Sequence, residues 1–489
     1  MLWICGTQAV LLAQNSKDKQ TKKYFVFLKD KEGTPYSLDN PLSFLSQRAL
    51  DRRVNREPAI DISLRDLPVN PDYVAQIKAT GAEVWYASKW FNAVMVSAEQ
   101  ATLDQISALP IVTRVQTLTE KSGTAKKTYN YVPNTTYDAI NTTISSPDDY
   151  GQSLNQVTQI GVDEAHKQGY RGKGMYIAVF DSGFEKADKL LCFQHLFANN
   201  QILGTYNFLE NNEYVFGNGG EHGTMVLSTM AAFLKGKLIG TAPDASYFLF
   251  KTEDTGSENP VEEVHWIMAA ERADSAGVDV INSSLGYTDY DDKSMSYTYN
   301  DLNGNTALIT RAADIAAGVG MIVVSSAGNE GGGKWQYVST PADADSIISV
   351  GAVDKNGKYV YFSSTGNTAD GRVKPNLAAK GMGSTVCSPG GDITSSSGTS
   401  FSSPILCGMV ADFWQANPKL NNMQVIDYLQ QSGNQADKPD SLLGFGIPHF
   451  GKAMEIVNQT NGKKKKRTGS LLQGGGTVPH KRKLDKSFS

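Results

Sequence analysis

Apolar residues along this chain follow two rhythms. Between residues 175 and 353, short runs that are apolar at nearly every position recur at 175–180, 247–251, 278–282, 321–325 and 347–353. Runs of that length without an alternating polar face predict strands covered on both sides. The segments between them, at about 222–234, 261–276 and 306–317, space their apolar residues by three and four, as one buried helix face does. Strand and helix alternating in this way predict an α/β unit, a parallel sheet with helices on both faces. Such sheets bind ligands beyond the carboxyl ends of their strands, so chemistry is expected where strands stop.

The first 118 residues read differently. A strand at 24–28 is followed by Asn40-Pro41, a cap with proline at the first helical position, predicting a helix to about Arg53. Asn70-Pro71 repeats the device for a helix ending at Gly81. Strands at 83–87 and 92–97, a helix at 99–108 and a strand at 111–118 complete a split βαβ pattern with one extra helix, a small α+β sandwich. From Thr119 to about Ser146 periodicity lapses, which predicts an exposed, cleavable linker. The apolar start, with Leu2, Trp3 and Ile4 and then Val10, Leu11 and Leu12, resembles the hydrophobic part of an export signal lacking its basic beginning. The expected division is a signal remnant at 1–15, a first domain at 16–118, a linker at 119–148, the α/β domain at 149–460 and a basic, disordered tail at 461–489.

Composition narrows the functions. The 46 Lys and Arg nearly balance 50 Asp and Glu, a net charge of −4, so bulk charge argues neither for nucleic acid nor for a membrane surface. No apolar run reaches the roughly 20 residues of a spanning helix. Cys5, Cys192, Cys387 and Cys407 are far apart, and their spacing offers neither a zinc site nor a disulfide framework. Lys463 to Arg467 and Lys481-Arg-Lys read as a solvated terminus rather than a nucleic-acid arm. The acidic cluster of Glu253, Asp254, Glu258, Glu262 and Glu263 reads as charge bias at a helix start, without the pattern of an oxygen-ligand loop.

Candidate chemistry lies in four stretches, three of them at or just beyond element ends. Ser400 lies in Ser-Gly-Thr-Ser-Phe-Ser-Ser-Pro, ahead of the helix-spaced Leu406, Met409, Val410 and Phe413. A helix starting there aims amides at an anion, with Pro404 placed in the first turn where a missing donor costs little. Asp181 ends a predicted strand, His222 enters a predicted helix and Asn329 follows a strand in Ser-Ser-Ala-Gly-Asn. Alone, each has a plainer reading: a serine cap, a turn-forming carboxylate, a solvated histidine, a glycine-rich turn. Together they supply nucleophile, orienting acid, base and oxyanion donor.

The order Asp181, His222, Ser400 is the subtilisin order. Residues from about 150 to 455 resemble the subtilisin-like serine peptidases, the subtilase family. The matching blocks are Ile177-Ala-Val-Phe-Asp-Ser-Gly, His222-Gly-Thr, Ser326-Ala-Gly-Asn and Gly398-Thr-Ser-Phe-Ser-Ser-Pro. The resemblance implies a subtilisin-like fold and a serine endopeptidase with catalytic Asp181, His222 and Ser400. It places the oxyanion hole at Asn329 and Ser400, and lays substrate as a strand between Ser284, Leu285 and Gly286 and the wall of Ala327 and Gly328, with Thr340 to Ala342 near the specificity pocket. It implies a ferredoxin-like propeptide before the linker, a monomer acting on proteins or peptides, and a secreted or cell-envelope location. It requires no cofactor. Calcium is frequent in the family, but no residue here is assigned to it. Departures stand at Met225, Phe401, Asn376 and Lys380. A phosphate loop at Gly328 to Lys334 fails at Trp335, a lipase elbow fails on residues and order, and a silent peptide-binding relative has no reason to keep all four groups.

Overall fold

The computed structural model describes residues 21–56, 58–119 and 140–473, with side chains as far as Gly462. The expected signal remnant, most of the expected linker and the end of the basic tail lie outside the described residues.

The first unit is a four-stranded antiparallel sheet of β1 (Lys22–Leu28), β2 (Glu83–Ser88), β3 (Ala93–Ala98) and β4 (Val112–Thr117), in the order β2-β3-β1-β4. Its strands alternate their apolar residues between two faces. Tyr24, Val26, Val94 and Val96 pack with Ile77 of α2 (Pro71–Ala79) and Ile106 of α3 (Gln100–Ser107). Phe25, Trp85 and Met95 face the second unit. One helix differs from expectation. Pro41–Ser43 makes a single turn, and α1 (Gln47–Val54) starts afresh, with Ser46 accepting from the Ala49 amide at 3.2 Å. The Ser46 amide is itself bound to the Ser275 carbonyl of the second unit at 2.9 Å, so a contact made between units interrupts the helix.

The second unit begins with α4 (Leu154–Thr158) and α5 (Val162–Lys167) and is built on seven parallel strands. They are β5 (Tyr176–Asp181), β6 (Ile202–Asn207), β9 (Ser246–Lys251), β10 (Val280–Ser283), β11 (Ile322–Ser326), β12 (Ile348–Val353) and β13 (Leu377–Lys380), in the order β13-β12-β11-β10-β5-β9-β6. Hairpins β7 (Phe233–Leu234) with β8 (Leu238–Ile239) and β14 (Ser384–Cys387) with β15 (Ile393–Ser396) flank it. The expected α/β sheet is therefore present, extended at each edge by a strand the apolar runs did not reveal. Both are edge strands, where continuous apolarity is not required: β6 is only partly buried, and β13 is four residues long.

Ile177, Val179, Ile322 and Val324 point to one core, shared with α7 (Glu221–Ala231), α10 (Thr399–Ala416) and α11 (Asn422–Ser432). Ala178, Phe180, Ile281 and Val323 point to the other, under α8 (Val261–Ala276) and α9 (Leu308–Gly318). The first unit's Phe25, Trp85 and Met95 join this second core, so its sheet lies over α8 and α9.

The described residues show two further features near the expected boundaries. Residues 140–148 are held against the α/β unit rather than loose. Ile140 donates to Asn199 Oδ1 of the loop after α6 (Gln194–Ala198) at 2.9 Å, and Thr142 Oγ1 donates to Asp244 at 2.7 Å. The final helix, α12 (Phe450–Gln473), runs well into the 461–489 stretch expected to be disordered. Its first turns dock Phe450, Ala453 and Val457 in the core, which nucleates a helix that the basic residues then continue.

Candidate active site

Asp181 is the last residue of β5 and is fully buried. Its Oδ1 accepts from the Ser182 amide and from His222 Nδ1, each at 2.8 Å. His222 is the second residue of α7, and the residue after it explains how the helix comes so near. A Cβ at Gly223 would stand 2.1 Å from the Gly183 carbonyl and 2.9 Å from Asp181 Cβ, so only glycine admits this approach. Burial pulls the His222 pKa down, but the charge and hydrogen bond of Asp181 outweigh it, and the net shift is upward. A helix N-terminus favours the neutral ring; here the neighbouring carboxylate dominates. Since Nδ1 carries the proton given to Asp181, Nε2 is the basic nitrogen.

Ser400 is the second residue of α10, where an amide has no intrahelical acceptor. Pro404 falls at the sixth position, beyond the first turn in which the sequence placed it. It therefore removes the helical donor to the Ser400 carbonyl. Ser284 replaces that donor, its hydroxyl reaching the Ser400 carbonyl at 2.9 Å. In return the Ser400 hydroxyl points to the Ser284 carbonyl at 3.4 Å, and among the described residues this is its hydrogen bond; none joins it to His222. The Phe401 ring lies 5.9 Å from the His222 ring, centroid to centroid.

Asn329 is exposed, three residues beyond β11. Its Oδ1 accepts from the Thr399 amide at 2.9 Å and the Thr399 hydroxyl at 3.1 Å. Only the carbonyl end of an amide side chain can accept these bonds, so Nδ2 is the end left for a ligand. Ser284, Leu285 and Gly286 follow β10, while Ala327 and Gly328 follow β11.

Between these walls stands Ser339, which the sequence reading did not single out. Its Oγ would lie 2.0 Å from a Cβ on Gly286 and 3.2 Å from one on Gly328. Thr340 and Ala342, expected near the pocket, are wholly buried behind it. Ser339 lies in a loop without periodicity, and tertiary contacts bring it into place: the bridge between Tyr287 and Thr340, and its own amide donating to the Ala327 carbonyl at 3.1 Å.

Among the described residues, Glu253, Glu258 and Glu262 are the carboxylates close enough to share a cation, with oxygens within 4.8 Å of one another. Burial pushes Glu253 up to about 8 and Glu258 to about 7, so protons relieve much of their repulsion at neutral pH. The departure at Asn376 has a structural account. Its Oδ1 accepts from the buried Lys374 ammonium and the Ser349 amide, both at 2.9 Å.

Residues 172–446, more than half of the chain, match the family described as Subtilase family. The chain belongs to the subtilase family. It is a serine-type endopeptidase, and the chemistry of its family needs no organic cofactor. Residues 23–131 match the Peptidase S8 propeptide domain of Bacteroidota, so the first unit is this subtilase's own propeptide domain. Subtilisin E of Bacillus subtilis (strain 168) is 30% identical over 347 residues, covering 67% of this chain and 82% of that protein. Subtilisin of Bacillus pumilus is 32% identical over 280 residues, covering 56% and 90% respectively. Thermostable alkaline protease of Halalkalibacterium halodurans is 28% identical over 300 residues, covering 61% and 73%.

In this subtilase the propeptide domain grips α8. Glu271 accepts from the Ser88 hydroxyl at 2.5 Å and from the Lys89 and Trp90 amides at 2.8 and 3.0 Å. Asp274 takes Arg52, Arg53 and Lys89 at 2.5, 2.9 and 2.8 Å. Among the described residues, no helix is long and apolar enough to cross a membrane.

Proposed function

We propose that this subtilase cleaves peptide bonds through Asp181, His222 and Ser400, and that it is made as a precursor that processes itself. The observation carrying this reading is the 2.8 Å bond from His222 Nδ1 to Asp181, made at the mouth of the sheet where α10 presents Ser400. Ser400 Oγ attacks the scissile carbonyl while His222 Nε2 takes its proton. The oxyanion that forms is met by the Ser400 amide and Asn329 Nδ2. Asp181 steadies the imidazolium, which then protonates the leaving amine, and water releases the acyl group by the same route in reverse. The substrate lies extended between Ser284 to Gly286 and Ala327 to Gly328.

In this reading residues 16–118 are an inhibitor and folding aid of ferredoxin-like form, and the chain is cut within 119–148. The enzyme is exported and works as a monomer on proteins or peptides. Calcium is assigned no residue. A silent peptide-binding role is favoured by one observation, the Ser400 hydroxyl turned to Ser284 rather than His222. Catalytic hydrogen bonds are often long in unliganded sites and tighten with substrate, which makes hydrolysis the better account.

Expression of the wild type beside Ser400→Ala tests this. The wild type is expected to lose about its first 120 to 150 residues, in the stretch without periodicity, and to hydrolyse peptides. Ser400→Ala should stay full length and inert. Equal processing and hydrolysis in both would overturn the assignment, while hydrolysis by neither supports the silent binder.

A further inference from the structure

Two cysteines that sequence spacing leaves unrelated meet in the fold. Cys192 lies in the single turn Leu191–Phe193, and Cys387 is the last residue of β14. Their sulfurs are 2.9 Å apart, with the Cys192 thiol donating to Cys387, and each residue is 1% exposed. That separation is closer than ordinary non-bonded contact and within reach of the ~2.05 Å of a disulfide. Among the described residues no third histidine, cysteine or carboxylate joins them in a metal-holding group, so the pair is not part of a zinc site. The remaining described cysteine, Cys407, is buried on α10 and free.

What the pair connects matters for the site. The Cys387 amide donates to Ser228 Oγ at 2.9 Å, and Ser228 is on α7, the helix that carries His222. Strand β14 pairs with β15, which leads through Ser397 into Gly398 and Ser400. Cys192 belongs to the segment that follows Asp181 by eleven positions. A bond here would join the stretch after the acid to the hairpin before the serine, against the helix of the base. The loop it closes contains His222, Asn329 and both substrate walls.

We propose that Cys192 and Cys387 form a structural disulfide that braces the hairpin before Ser400 against α7. The exchange begins as Cys387, still open to solvent during folding, loses its proton. Its thiolate attacks one sulfur of a small-molecule disulfide, oxidised glutathione in the test below, and expels one glutathione thiolate. Cys192 then gives up its proton and attacks the Cys387 sulfur of the mixed disulfide, expelling the second. Two protein thiols lose two electrons, one disulfide gains them, and the two protons end on the two glutathione thiols. Because both sulfurs are covered in the finished fold, the exchange takes place while the chain folds, before β14 closes on α7.

The full chain refolded in glutathione redox buffer provides the test. Free thiols are blocked with iodoacetamide in denaturant, and the digest is mapped by mass spectrometry without reductant. The expected result is a Cys192 peptide joined to a Cys387 peptide, two hydrogens lighter than their sum, with Cys407 alkylated. Reduction of the refolded protein should lower its melting temperature by about 5 °C, and Cys192→Ala/Cys387→Ala should melt identically with and without reductant. Complete alkylation of both residues after oxidative refolding, or a link from either to Cys407, overturns the proposal. A Cys192–Cys387 link whose reduction leaves melting unchanged overturns the bracing role.

Discussion

Ser284 and Ser400 each satisfy the other's backbone: the Ser284 hydroxyl donates to the Ser400 carbonyl at 2.9 Å, and the Ser400 hydroxyl to the Ser284 carbonyl at 3.4 Å. The exchange joins the proposed substrate wall to the helix that presents the proposed nucleophile. It exists because Pro404 cannot donate to the Ser400 carbonyl. Ser284→Ala leaves that buried carbonyl unpaired, at a cost of about 1–3 kcal/mol, and frees the start of α10 to shift. Denaturant unfolding should register the loss together with slower peptide hydrolysis; an unchanged midpoint would mean that another donor takes over.

Asn329 turns its Oδ1 to Thr399, leaving Nδ2 as donor. Asn329→Ala should lower kcat by about 10²–10³ with KM little changed, a magnitude taken from subtilisin itself rather than from this geometry. Asn329→Asp keeps the acceptor for Thr399 and loses the donor. It should therefore be as slow as the alanine variant, and near wild-type turnover in it would remove Asn329 from the oxyanion hole.

The proposed base works only when neutral. Burial lowers the His222 pKa and Asp181 raises it by more, so the working limb of kcat/KM should rise with pH through a value above about 6.5. The sign for stability is opposite. A histidine bound more tightly to its proton in the folded state contributes stability below its unfolded pKa and loses it as pH rises through the folded one. Asp181→Asn should move the limb to lower pH while cutting turnover by about 10⁴. A limb that stays in place would separate His222 from the titration.

Asp274 is fully buried beneath three propeptide cations. Their charges overcome the effect of burial and hold its carboxyl well below the usual range. An acid with a depressed pKa contributes stability above its unfolded pKa and loses it as pH falls through the folded one, so the propeptide contact should survive mild acid. Asp274→Asn removes the carboxylate shared by Arg52, Arg53 and Lys89, leaving Arg53 only its bond to Asp66, at a cost of about 3–5 kcal/mol. The inhibition constant of the separate propeptide against the processed variant should rise at least 100-fold at neutral pH. An unchanged constant would assign the grip to Glu271, to Asp279 with Arg48 and Arg56, and to the aromatic face.

Glu258 is raised to about 7, first by burial and then by Asp291 and Asp289. An acid with a raised pKa stabilises the fold below its unfolded value, and that contribution fades as pH climbs to the folded one. Thermal stability should therefore decline between about pH 4.5 and 7. Glu258→Gln should flatten this part of the melting-temperature profile.

Much of the fold was legible because its signals are local. The central strands are covered on both sides and read as unbroken apolar runs, whereas β6 and β13 sit at edges and leave no such trace. The helix expected after Asn40-Pro41 starts later for a related reason. Ser46 caps a later start because its amide is held by Ser275, a residue more than two hundred positions away. Ser339 carried no signal at all, since its place between Gly286 and Gly328 depends on two loops meeting.

By itself the sequence determined the strand that ends in Asp181, the helix starts at His222 and Ser400, the turn that offers Asn329, and the order in which they occur. Those depend on periodicity and turn chemistry within a few residues. Tertiary structure decided which groups face one another: the Asp181 carboxylate against His222, the Ser284 hydroxyl on the carbonyl that Pro404 leaves unpaired, and Cys192 against Cys387. Each of these contacts spans at least 41 positions, the separation of Asp181 and His222. Local propensity carries no information over such a distance; the packing of α7, α10 and β14 against the sheet does.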